Sequence, residues 1–295
     1  MSASALSGVH GIWNYSYVKA AAGELPQAVG AIGADWSRWV GRGLRKAGVE
    51  LPGPGVLPVA YYADCLYRGD RMGADDPTRL TPFGQELLAA WIEEVRLAEA
   101  GATAAALVPQ GRLTFALRSM TQWFTERFGS QALRVVTATV SELATYFDPE
   151  SADARTRSQD RVAEMLRDHR PRVLLAHSLG SVVAYEALCA HPELEVELFV
   201  TLGSPLAMRS VVFDRLTPPP AGRGARPTGV ATWVNVADRG DPVAVPRRGI
   251  SQRFLDVSRD VETSIHLIDP HRAKNYLRCA ELVTEIVPYV STDRA

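Results

Sequence analysis

The sequence predicts an α/β fold, a mostly parallel sheet with helices on both faces, in one domain spanning residues 1–295. Three observations point there. Short runs rich in Val, Leu and Ile, at Val173–Ala176, Val196–Leu202 and Val230–Val236, read as strands buried on both sides. Longer stretches with helical spacing alternate with them, which is the pattern of crossover connections in a parallel sheet. With 46% hydrophobic residues over this length, the chain should bury about three quarters of its unfolded surface, enough for a sheet covered twice.

Taken in order, a first strand ends at Val9 and turns at His10-Gly11-Ile12-Trp13-Asn14. A helix over Asp35–Ala47 carries Trp36, Trp39, Val40 and Leu44 at helical spacing, so the tryptophans read as core rather than as a ligand platform. A strand over Gly55–Tyr62 is entered through the turn Pro52-Gly53-Pro54-Gly55. The interval from Ala63 to Glu150 is too long for one crossover. It holds a polar turn over Gly69–Thr78 and helical patterns at Pro82–Glu99, Leu113–Phe128 and Leu133–Phe147, which predicts a helical cap inserted at about 63–150. The crossover helix proper is expected at Ala152–His169, the central strand from Arg172, and a Pro/Gly/Arg-rich loop over Thr217–Thr228. A last helix is expected over Arg272–Val287.

Composition narrows the function classes. A net charge of -1 offers no electrostatic basis for binding nucleic acid or an anionic membrane. Cys65, Cys189 and Cys279 are too few and too dispersed for a disulfide framework or a zinc site, and fit a reducing interior. Neither a secretory signal nor a run of 18 apolar residues is visible, so the expectation is a cytoplasmic protein without an integral membrane segment. No carboxylates and histidines stand at metal-ligand spacing, and no cofactor is expected. The pairs Asp75-Asp76, Glu93-Glu94 and Arg247-Arg248 read as solvated.

The chemistry concentrates at Ala176-His177-Ser178-Leu179-Gly180. An apolar strand runs into it and a helix-forming segment leaves it, which puts Ser178 at the apex of a strand–turn–helix, the nucleophile elbow. A serine hydroxyl is a poor nucleophile, so it needs a rigid mount, a base, and backbone N–H groups to receive the developing oxyanion. Small residues two before and two after it allow strand and helix to approach, and Ala176 stands where glycine is more usual. The base and acid should follow the serine on loops at the carboxyl ends of later strands. His271, opening the last helix after Asp269-Pro270, is favoured as base over His266, which lies in an apolar run. Asp241, in Gly240-Asp241-Pro242-Val243, is favoured as acid over Asp238. One oxyanion donor should be the N–H of Leu179, and the other should come from the loop at His10-Gly11-Ile12. Ser204, in Leu-Gly-Ser-Pro after a strand, is the weaker nucleophile, because Pro205 has no N–H and no helix pattern follows at once. Candidate pocket residues are Trp13, His177, Trp123 and Phe124, although core packing is the favoured use of the cap aromatics.

Together, Val9-His10-Gly11-Ile12, Ala176–Gly180, Thr201-Leu202-Gly203-Ser204-Pro205 and Asp241-Pro242-Val243 resemble the α/β-hydrolase superfamily. The elbow and the His-Gly-Ile loop are similar to small bacterial lipases. The ending His271-Arg272-Ala273-Lys274-Asn275-Tyr276-Leu277 is similar to actinobacterial serine hydrolases labelled peptidases or esterases. This resemblance implies Ser178 as nucleophile, Asp241 as acid, His271 as base, and Ile12 with Leu179 as oxyanion donors. The expected activity is hydrolysis of an ester, thioester or amide in a small-molecule, peptidyl or acyl substrate. The alternatives are an acyltransferase, a cyclase or releasing thioesterase built on the same acyl-enzyme, and a catalytically silent binding module.

Overall fold

The computed structural model describes residues 5–51, 56–67, 76–101, 113–265 and 270–290, with residues 113–116 described by backbone alone. The turn at 52–55, most of the polar turn at 69–78, His266 and Asp269 lie outside the described residues. Six strands form one sheet in the order β2-β1-β3-β4-β5-β6, every neighbouring pair parallel. They are β1 (Leu6–Val9), β2 (Val59–Ala60), β3 (Val173–His177), β4 (Val196–Leu202), β5 (Val230–Asp238) and β6 (Arg259–Thr263). Between β1 and β2 run α1 (Tyr15–Ala20) and α2 (Leu25–Lys46), and between β2 and β3 run α3 (Pro82–Glu99), α4 (Leu113–Phe128), α5 (Ser130–Phe147) and α6 (Ala152–His169). Then follow α7 (Leu179–Ala190) after β3, α8 (Gly249–Arg253) before β6, and α9 (Ala273–Tyr276) and α10 (Ala280–Val290) after it.

Strand periodicity divides the core into two layers. Val173, Leu175, Leu198, Val200, Val234 and Val236 face one cluster with Trp36, Val40 and Leu44 of α2 and Leu282 and Ile286 of α10. Leu174, Ala176, Phe199 and Trp233 face the other, with α6, α7 and the helices of the long insert. Both faces are therefore covered, which is why the central strands are mostly apolar.

The winding order positions the site. The chain leaves β1 for β2 on one side, then returns past β1 to place β3 on the other. The carboxyl ends of β1 and β3 thus flank the point where the winding reverses, and a crevice opens there in such sheets. Helix α3 packs over the same end: Trp91 Nε1 donates to Pro242 O at 3.0 Å, and the Glu94 carboxylate accepts the N–H groups of Arg209 and Ser210. Glu94 is therefore buried, not solvated as expected, because two loop N–H groups need an acceptor.

Several elements differ from expectation: α2 begins at Leu25, ten residues before the expected start at Asp35, and the short helices α1 and α8 were not expected. Ladder pairing in β2 covers only Val59–Ala60, and two residues on, Tyr62 N–H donates to His10 Nε2 at 3.1 Å instead of to a strand. The last helix is two helices, and Leu282 N–H of the second is capped by Cys279 Sγ at 3.4 Å. Strand β6 was not expected because Arg-Asp-Val-Glu-Thr has no apolar face to read; it lies at the sheet edge with only Thr263 buried. No helix among the described residues is long and apolar enough to cross a membrane.

Candidate active site

Ser178 stands between β3 and α7 with φ 54° and ψ -130°, a left-sided backbone that a non-glycine residue adopts only when its surroundings enforce it. Two close approaches do so. A Cβ on Gly180 would collide with His10 O and lie 2.7 Å from Val9 O, so glycine lets α7 start against the end of β1. A Cβ on Gly11 would lie 2.7 Å from Ser178 Cβ and 2.7 Å from His177 Nδ1, so the loop after β1 passes directly against the serine. The local sequence that predicted an elbow thus forms one by omitting side chains on both sides of it.

Downstream loops bring an imidazole and a carboxylate to this hydroxyl. His271 Nε2 lies 2.8 Å from Ser178 Oγ, and His271 Nδ1 lies 2.8 and 3.0 Å from the two Asp241 oxygens. The carboxylate can only accept from neutral imidazole, so Nδ1 carries the proton and Nε2 is left as acceptor for the serine O–H. All three side chains are buried. Burial alone would raise the Asp241 carboxyl, but the His271 charge and hydrogen bond, the Tyr276 hydroxyl and the Val243 N–H outweigh it, and its pKa falls below the usual carboxylate value.

The acid is held by partners that motif reading did not assign. Tyr276 donates its hydroxyl hydrogen to Asp241 Oδ2 at 2.7 Å while its oxygen accepts Asp238 N–H at 2.8 Å. Val243 N–H donates to Asp241 Oδ1 at 2.8 Å. Gly203, at φ +55°, leaves the space: a Cβ there would lie 2.8 Å from Asp241 Oδ2 and 2.9 Å from the Tyr276 ring. Asp238, the alternative acid, accepts the N–H groups of Gly240 and Ile265 and so shapes the turn rather than the imidazole. Ser204, the alternative nucleophile, shares a 2.7 Å hydrogen bond with the Ser181 hydroxyl, whose own hydrogen goes to Ser178 O, and accepts the Leu206 N–H at 3.2 Å, with no histidine among these partners.

Two buried histidines shape the surrounding backbone. His177 donates Nε2–H to the His271 carbonyl at 2.8 Å, and its pKa is depressed to about 3, chiefly by burial and then by the neighbouring His271. It is a buried prop beneath the base, not a ring presented to a pocket. His10 stacks on Tyr62 with 4.3 Å between centroids, donates Nδ1–H to Gly11 O at 2.7 Å, and is depressed to about 4 by burial. Burial penalises the charged ring and keeps both neutral, against the carbonyl each donates to and, for His177, against the Asp241 charge, all of which favour the protonated form.

The loop after β1 is tied at each peptide. Asn14 Nδ2 donates to Gly11 O and Ile12 O, both at 2.8 Å, and Tyr61 donates to Asn14 O at 2.6 Å. Among the described residues the N–H groups of Ile12 and Leu179 meet no acceptor. That of Leu179 opens α7, where unpaired N–H groups and the helix dipole favour negative charge. Trp13 is exposed at the surface of this loop, whereas Phe124 is fully buried and Trp123 half-buried in an aromatic cluster with Phe128. No group of three or more His, Cys, Asp or Glu side chains among the described residues could hold a metal ion.

A hydroxyl so arranged can lose its proton to a nearby neutral imidazole, with a carboxylate stabilising the cation that results. Comparison with protein-family models, with curated proteins and with solved structures yields no match.

Proposed function

We propose that this chain is a serine hydrolase of the α/β-hydrolase superfamily, cleaving an ester, thioester or amide through an acyl-serine. The observation that supports it is the continuous hydrogen-bonded series Ser178–His271–Asp241 at the sheet's winding switch. Ser178 Oγ attacks the substrate carbonyl as its proton passes to His271 Nε2. Asp241 keeps the imidazole in the required tautomer and stabilises its cation. The Leu179 and Ile12 N–H groups receive the oxyanion, and His271 returns the proton to the leaving group. Water, activated by the same imidazole, then attacks the acyl-serine and regenerates the enzyme. These steps call on no cofactor. The α3–α5 insert acts as a cap over the site, with a small-molecule or acyl substrate entering beneath it. Unpaired cysteines, two of them buried, favour a reducing, cytoplasmic setting.

A fluorophosphonate probe with peptide mapping tests this. Modification of Ser178, lost in Ser178→Ala together with turnover of p-nitrophenyl esters, is the expected result. The loss should be of order 10⁴ to 10⁶, the range found when triad members are removed elsewhere. Labelling at Ser204, or no labelling of the folded protein, would remove the proposal.

A further inference from the structure

Helix α5 of the insert carries a buried acid that the proposed chemistry leaves unused. Glu142 is 2% exposed, and among the described residues its partner is Trp13 N–H, 2.9 Å from Oε1. A buried carboxyl is expensive unless something demands it. The other buried glutamates show what such demands look like: Glu186 is paired with Arg155, Glu285 with Arg259, and Glu94 accepts two loop N–H groups. No cation among the described residues pairs with Glu142, so an apolar side chain would fill its place on α5 at lower energetic cost. What that replacement would lose is the acceptor for Trp13.

Trp13 needs one. Its φ is +63°, a conformation that disfavours side chains bearing a Cβ by about 1–2 kcal/mol. Its own ring does not hold it there, being 41% exposed. The backbone at this point is held by polar contacts instead: Asn14 to Gly11 O and Ile12 O, Tyr61 to Asn14 O, and Glu142 to Trp13 N. The peptide that Glu142 grips adjoins the one bearing the Ile12 N–H.

We propose that Glu142 is a positioning residue: its carboxyl, projecting from the insert, fixes the peptide at Trp13 and so aims the Ile12 N–H at the oxyanion. This rests on the serine-hydrolase reading above. Burial pushes the Glu142 carboxyl up to about 8 against the pull of the Trp13 N–H, so it serves at neutral pH mainly as an uncharged acceptor. An amide should then replace it. It follows that the insert contributes to the chemistry and not only to enclosure, since the loop keeps its shape only while α5 is docked.

The test compares wild type with Glu142→Gln, Glu142→Leu and Glu142→Asp. Active sites are counted by complete labelling with a fluorophosphonate, so that turnover of p-nitrophenyl butyrate is expressed per intact site. Inhibition by an aliphatic trifluoromethyl ketone, whose adduct carries an oxyanion, is measured beside it. Leaving a buried N–H unpaired should lower per-site kcat roughly 10- to 100-fold, with KM little changed. Ketone affinity should weaken in parallel. Glu142→Asp, which withdraws the acceptor by one methylene, should behave like Glu142→Leu and decides the matter if the leucine variant does not fold. Glu142→Gln should recover most of the per-site rate. A variant that merely loosened the fold would lower the number of labelled sites and leave per-site kcat and ketone affinity unchanged. That result for Glu142→Leu or Glu142→Asp overturns the proposal, as does a glutamine variant as impaired as the leucine one. Failure of wild type itself to label would instead refute the hydrolase reading.

Discussion

Tyr276 shows how one atom can couple two loops. Its hydroxyl donates to Asp241 and accepts from Asp238 N–H, so a single oxygen joins the acid's side chain to the end of β5. Burial, and then the Asp241 charge, push this phenol well above its ordinary pKa, so it remains a donor at any working pH. Tyr276→Phe removes both bonds and leaves the Asp238 N–H buried without a partner. The expected destabilisation is about 1–3 kcal/mol, read by chemical denaturation. Per-site turnover should also fall by roughly tenfold, because Asp241 would hold the imidazole with one restraint fewer. Wild-type turnover and wild-type stability together would mean that the tyrosine is redundant. At this scale the sequence displayed the chemical groups but not their supports. Ser178, Asp241 and His271 were legible from turn context and chain order, and the structure brings these three into hydrogen-bond contact. The roles of Tyr276, His177 and Glu142 depend on segments 35 to 129 residues apart meeting, and no local pattern encodes such a meeting.

At the scale of elements, legibility followed burial. Strands β3, β4 and β5 were visible because both of their faces are covered and nearly every side chain is apolar. The polar edge strand β6 was invisible for the opposite reason, being placed by its pairing with β5 and by Asn235 Nδ2 donating to Asp260 Oδ1 at 2.7 Å. Helix α3 was legible to its ends because Thr81 caps it, accepting Gly84 N–H at 3.1 Å ahead of Pro82 in the first turn. The insert's aromatics could be read as core or as pocket, and burial now separates them. Phe124→Ala should cost about 3–5 kcal/mol, the range for emptying a buried aromatic site. Rates on p-nitrophenyl esters should then fall in parallel at every acyl length, in proportion to the folded fraction. Trp123, which retains exposed surface, is the informative contrast. A shifted chain-length optimum in Phe124→Ala, at unchanged melting temperature, would contradict its assignment to the core.

The whole molecule carries buried titratable groups whose opposed shifts give stability a pH optimum. His10 and His177 have native pKa values of about 4 and 3, against 6.5 when unfolded. Below pH 6.5 the unfolded chain therefore binds protons that the native state refuses, and stability falls as pH falls toward 4 and then 3. Glu142 acts in the other direction. Its native value of about 8 lies above the ordinary 4.5, so between these limits the native state holds a proton that the unfolded chain has lost, and stability falls as pH rises. Glu94, also raised, adds to this limb, and Asp241, lowered, adds to the acid limb below the ordinary carboxylate range. Each group contributes a slope of up to about 1.4 kcal/mol per pH unit inside its window. From pH 4.5 to 6.5 the two histidines outweigh Glu142, and stability climbs; from 6.5 to 8 Glu142 acts against little opposition, and stability declines. The melting temperature should accordingly peak near pH 6.5. Glu142→Gln should flatten the decline toward pH 8 and leave the acid limb unchanged, because glutamine has no proton to lose. A glutamine variant with the same alkaline slope as wild type would show that Glu142 is ionised in the native state, and that the loop at Trp13 is held by a carboxylate rather than a neutral acid.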